Sequence, residues 1–129
     1  MPNSIFLRIS SFFSIGSRHP KIAKDENNSI LGFVCGLECR GNNSQIDSEL
    51  WAIYVSPEKT KCGIGNLLFK SFTQELRKRG FSKMNVWVLK DNNMARNFYE
   101  KMGGIQSEHT KEIDIGGKKL LELSYEYRL

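Results

Sequence analysis

The residues with the most chemistry for their length run from Lys59 to Asn66. They form a basic, glycine-containing turn, Lys59-Thr60-Lys61-Cys62-Gly63-Ile64-Gly65-Asn66, that opens into an amphipathic run. Just before it, Leu50 to Val55 is apolar, aromatic and β-branched, which reads as a buried strand. Pro57 stops that strand, since proline cannot donate to a sheet ladder. A strand, a glycine turn and a helix start together make an anion site. Backbone N–H groups point outward there, the helix dipole favours negative charge, and glycine permits close approach. A phosphate-bearing ligand suits this arrangement. Glycine in such a turn can equally serve only to turn the corner, and Gly-x-Gly alone decides little.

The elements that must position this turn come from the whole chain. Its 129 residues suit one domain with a real core. With 40% hydrophobic and 26% charged residues, the composition is that of an ordinary globular protein. A formal charge of +5, from 19 basic and 14 acidic residues, favours an anionic ligand or an acidic partner. It is spread along the chain with no concentrated stripe, so nucleic acid is not expected as the primary partner. Cys35, Cys39 and Cys62 are odd in number and match no zinc spacing, so no metal is expected. Thiols of this kind fit a reducing cytoplasm. Asn27-Asn28-Ser29 and Asn42-Asn43-Ser44 match a glycosylation pattern but read as turn residues.

Residues 1–20 are apolar at Ile5-Phe6-Leu7 and Phe12-Phe13, but Arg8 and a run of serines interrupt them. The apolar part is too short for a membrane span, so no membrane partner is expected. Arg8, Arg18 and the serines, with no acids, also fit a mitochondrial-like presequence; the expectation is a frayed or partly docked arm. From Lys21 the pattern gives two strands, Lys21–Asp25 and Ile30–Glu38, as a hairpin, with Gly32 and Gly36 weakening the second or marking a bulge. The strand at 49–55 follows a polar loop. A helix from Gly63 to Arg79 then repeats Ile64, Leu68, Phe72 and Leu76 at i+4, with Leu67 and Phe69 widening its buried face. Gly80 stops it. Met84–Lys90 is the next strand, completing a βαβ unit. Asp91, Asn92 and Asn93 offer N-cap side chains for a short helix, about Asn93 to Met102, with Ala95, Phe98, Tyr99 and Met102 inside. A hairpin of 108–115 and 118–128 closes the chain.

Three segments in this order resemble the GNAT superfamily of N-acetyltransferases. Leu50 to Glu58, followed by Cys62-Gly-Ile-Gly-Asn-Leu-Leu, is similar to the family's acetyl-CoA pyrophosphate motif. Asn92-Asn-Met-Ala-Arg-Asn-Phe-Tyr-Glu-Lys-Met-Gly103 is similar to its "N-x-x-A-x-x-F-Y-E-K-x-G" helix, and Ile115 to Tyr125 to its last hairpin. The resemblance covers about residues 21–129, as a single acetyl-CoA-binding domain behind the arm. It implies an α/β (α+β) fold: a mixed, mostly antiparallel sheet with a splayed central parallel pair, a long helix after the phosphate turn and a C-terminal hairpin. It further implies acetyl-CoA as co-substrate. The turn Thr60, Lys61, Cys62, Gly63, Ile64, Gly65 and Asn66 would hold the pyrophosphate. The strand around Ile53, Tyr54 and Val55 would hold the pantetheine arm, with Asn92 either touching that arm or simply capping its helix. Tyr99 matches the general acid to the leaving thiolate, or is core. Glu49 matches the base that takes the amine proton, or is a surface glutamate; His109 is a weaker candidate. Strict alternation would set Glu49, Trp51, Ile53 and Val55 on one face, and any bulge would shift that register.

Two departures from the pattern stand out. Family members usually open the phosphate turn with Gln or Arg followed by Gly, where this chain has Thr60 and Lys61. They also begin with a strand and helices that wall the acceptor side, for which about 20 residues leave little room. Such a front fits a misassigned start, a fragment, or a homodimer whose partner subunit supplies the wall. The expected function is N-acetyl transfer from acetyl-CoA to a small-molecule or peptide amine. The rival is a degenerate CoA-binding or regulatory module without turnover.

Overall fold

The computed structural model describes residues 8–11, 20–39, 45–59 and 63–129. Among the described residues, seven strands make one sheet: β1 (Arg8–Ser11), β2 (Lys21–Lys24), β3 (Ile30–Glu38), β4 (Ser48–Val55), β5 (Lys83–Leu89), β6 (Ile105–Ile115) and β7 (Lys118–Arg128). Their order is β1-β2-β3-β4-β5-β7-β6. Every neighbouring pair is antiparallel except β4–β5, which is parallel and joined through helix α1 (Ile64–Lys78). Helix α2 (Asn93–Lys101) links β5 to β6. This mixed sheet with two helices matches the fold class read from the sequence.

The helices form where the pattern sets them. In α1, Ile64, Leu68, Phe69, Phe72 and Leu76 are buried at i+4 and i+3 steps. Burial of each such side chain contributes roughly 1.5–3 kcal/mol. Leu67, expected to widen that face, is instead 43% exposed, one step too far around the helix. Phe69 packs against Phe98 of α2 and Tyr127 of β7, and Tyr99 packs against Tyr125. Both helices therefore cover one face of the sheet. Met84, Val86 and Val88 of β5 point into that core, paired across the ladder with Tyr127, Tyr125 and Leu123.

Part of the front lies against the sheet. Residues 8–11 form an edge strand on β2, with Arg8 opposite Lys24 and Ser11 opposite Lys21. Four mostly polar residues carry too little alternation to announce a strand; the ladder of β2 supplies the order.

Strand β4 carries the feature that matters most. It pairs with β5 only through Ser48–Met84, Glu49–Asn85 and Leu50–Val86, and beyond Leu50 the two strands part. Against β3, Cys35 faces Ala52 and Gly36 faces Leu50, so Trp51 is an extra residue. This bulge overturns the strict alternation. Glu49 shares the helix-free face with Asn85, whereas Ile53 and Val55 pack toward the helices. The bulge rests on Gly36, where a Cβ would run into the Glu49 carbonyl oxygen.

Candidate functional site

Where β4 and β5 separate, a cleft of about 930 Å³ passes through the sheet. On the helix side it is lined by Ile53, Val55, Gly63, Gly65, Asn66, Phe98 and Tyr99. From the opposite face it takes Ala52, Trp87 and Glu122. Two reactants could thus approach one point from opposite sides of the sheet. A smaller recess of about 580 Å³, with Lys90, Lys118 and Lys119 on its rim, lies where the β5–α2 turn meets the closing hairpin.

The helix-side wall is an N-terminus built to receive negative charge. Gly63 caps α1 in the left-handed conformation, φ 77°, with no side-chain cap. Its missing side chain would point into open space. The first turn of α1 holds no acidic residue, and its leading N–H groups have no intrahelical partner. Gly65 sits close under α2: a Cβ there would lie 3.3 Å from the Phe98 ring and 3.6 Å from Val55. Thr60, Lys61 and Cys62, expected in the same turn, lie outside the described residues.

Tyr99 lines the cleft but is only 6% exposed, and burial pushes its phenol up to about 12. It stays a protonated donor across the neutral range. Its own carbonyl accepts a 2.7 Å hydrogen bond from the Tyr127 hydroxyl, which fastens α2 to β7. A second fastening lies one turn along, where the Tyr125 hydroxyl donates to Glu100 at 2.6 Å and accepts from Arg96 at 3.1 Å. Asn92 does what a cap residue does, its Oδ1 accepting from the Ala95 N–H at 3.1 Å, and it also borders the cleft.

The remaining candidates separate. Ile64 is wholly inside the core and can offer the cleft only its backbone. The Tyr54 side chain is 50% exposed and stacks on Phe33, centroids 5.8 Å apart, away from the cleft lining. Glu49 is 2% exposed on the helix-free face. His109 is exposed on β6 and does not line the cleft. Among the described residues no group of three or more His, Cys, Asp or Glu side chains could hold a metal ion. Trp87, Glu122 and Phe98 were not foreseen as lining the cleft. The first two lie on different strands and meet only through the β5–β7 register, which leaves no local signal.

Comparison with known proteins agrees with this geometry. The model of the acetyltransferase (GNAT) family matches residues 5–104. The chain is 37% identical over 71 residues to the uncharacterized N-acetyltransferase YuaI of Bacillus subtilis (strain 168). That alignment covers 55% of this chain and 41% of the relative's length. Among solved structures, a ribosomal-protein-alanine N-acetyltransferase from Brucella melitensis superposes with a TM-score of 0.75 at 20% identity, covering 87% of this chain and 69% of that one. A protein of Bacillus anthracis str. Ames, solved in complex with acetyl coenzyme A, superposes with a TM-score of 0.74 at 17% identity, covering 92% and 66%. At these identities the structural likeness is one of fold.

Proposed function

The chain belongs to the GNAT family of acetyltransferases, and from that premise we propose that it moves an acetyl group from acetyl-CoA to an amine by direct attack in a ternary complex. The observation that carries this reading is the cleft between β4 and β5, open to both faces of the sheet and bordered by a bare helix N-terminus.

Each part of the cofactor meets matching chemistry. The pyrophosphate takes the N–H groups at the start of α1, where main chain supplies charge stabilisation without bulk. The pantetheine arm lies along β4 beyond Leu50, where β5 no longer pairs, and hydrogen-bonds that edge as an absent strand would. The thioester then sits beside the bulge at Trp51. The acceptor enters from the face of Trp87 and Glu122 and must arrive as a neutral amine to attack. Glu49 is on that same face, and it receives the amine proton through water. As the C–N bond forms and the C–S bond breaks, the thiolate leaves toward Tyr99. With its phenol near 12 and an ordinary thiol near ~8.5, full proton transfer from Tyr99 runs uphill. Tyr99 acts by donating a hydrogen bond to the developing thiolate, which takes its proton from water.

The acceptor is a small-molecule or peptide amine. The test is calorimetry with acetyl-CoA together with thiol release across a panel of amines. Binding in the micromolar range with release for at least one amine is expected. Binding with no transfer to any amine would leave a CoA-binding module, and no binding would overturn the reading altogether.

A further inference from the structure

Lys111 stands on β6, on the helix-free face, directly across the ladder from Glu122 of β7. Its Nζ lies 3.6 Å from Glu122 Oε1 and 4.5 Å from the centroid of the Trp87 ring. Trp87 and Glu122 both line the cleft. A primary alkylamine of the chain itself is therefore parked at the mouth through which an acceptor amine must come. We propose that Lys111 is a self-acetylation site, an inference that rests on the acetyl-transfer reading above.

The contacts suit that role. The Lys111 side chain is 46% exposed, so it can lose its proton to water and swing on its flexible stem. A half-exposed ion pair and a cation–π contact are weak, and they keep the nitrogen near the cleft without locking it. Three other described lysines are worse placed. Lys101 lines the cleft from α2, on the cofactor's side, and Lys118 and Lys119 stand at the turn of the closing hairpin. In the transfer, the neutral Lys111 Nζ attacks the thioester carbonyl carbon, the C–S bond breaks, and CoA leaves as the thiol. The nitrogen gives up its second proton to water and no electrons change hands. The product amide has lost the positive charge, so both the pairing with Glu122 and the attraction to Trp87 end. Those two side chains are then released to the cleft.

The test incubates the full chain with acetyl-CoA and no added amine, then maps acetylated peptides over time, with calorimetry run in parallel. Lys111 should gain acetyl about tenfold or more faster than Lys118 or Lys119, the order of advantage that positioning gives. Its rate per molecule should not change with protein concentration. Heat-unfolded chain should lose that preference, and Lys111→Arg should remove it with acetyl-CoA affinity unchanged. If acetyl-CoA binds while Lys111 is modified no faster than the hairpin lysines, the self-acetylation proposal alone falls. If acetyl-CoA does not bind, it falls together with the acetyl-transfer reading.

Discussion

The two ends of the β4–β5 pair are made from the same strands and do opposite work. At the closed end, Ser48 to Leu50 pairs in register with Met84 to Val86. Asp47 clamps that end: its carboxylate accepts from the Ser82 N–H at 2.9 Å, the Ser82 hydroxyl at 3.1 Å and the Lys83 N–H at 3.0 Å. The Ser48 hydroxyl adds a bond to the Lys83 carbonyl at 2.7 Å. Past the bulge at Trp51, β4 gives up its partner on that side and the space becomes a cleft. Unpaired strand edge is ordinarily a liability. Here the side chains at the closed end hold the pairing in register, and the open end is the edge that the proposed reading gives to the cofactor. In the proposed reading, stability and function are separated by a few residues along one strand.

That separation predicts that substitutions at the open end change binding or rate and spare the fold, whereas those at the closed end do the reverse. The largest effect is expected for Gly63→Glu. A carboxylate thrust from the α1 cap into the open space where the pyrophosphate would lie should weaken acetyl-CoA at least about 100-fold, about 2.7 kcal/mol, in calorimetry. Gly63→Asn, which tolerates the left-handed cap without charge, should stay within a few-fold of the parent. Next comes Tyr99→Phe, which should lower kcat by about 10- to 100-fold with little change in acetyl-CoA affinity, as loss of a donor that acts only in the transition state does. A fall in affinity matching the fall in kcat would make Tyr99 a packing residue instead.

Asp47→Ala should cost about 1–2 kcal/mol of stability in urea unfolding, since three hydrogen bonds are lost at an exposed carboxylate, and should leave kcat per folded molecule unchanged. The smallest effect is in acid. Burial pushes the Asp47 carboxyl up, but the Ser82 and Lys83 amides with the Ser82 hydroxyl outweigh it and hold the group below its ordinary 3.8. A depressed folded value contributes stability above the unfolded value, lost as pH falls through the folded one. Asp47→Ala should therefore differ most from the parent above about pH 4 and converge with it below. A constant difference down to low pH would mean that the clamp does not depend on charge.

Much of this arrangement was legible in the residues because it is local. The i+4 repeat of Ile64, Leu68, Phe72 and Leu76 depends on the helix period alone, and Asn92 caps α2 through its own near neighbour. The last strand alternates visibly at Leu121, Leu123, Tyr125 and Tyr127 after the Gly116-Gly117 turn. What stayed hidden depends on pairing between distant strands. Gly36 offers a bulge on β3, but nothing within Ser48–Val55 says that the matching offset falls at Trp51, and it moves Glu49 to the face opposite Ile53 and Val55. Tyr54 belongs to the expected cofactor strand through its backbone alone, since its side chain stacks on Phe33. The meeting of Lys111, Glu122 and Trp87 takes three strands and two registers to assemble. The edge strand β1 pairs through backbone, which every sequence carries alike.

The proposed reading makes the open end of β4 the cofactor's strand. Hydrogen exchange of the backbone amides with and without saturating acetyl-CoA tests it most directly. New protection is expected in the gap-facing amides among residues 51–55 and at the start of α1, with residues 48–50 unchanged. Protection that left 51–55 untouched while acetyl-CoA bound elsewhere would contradict it.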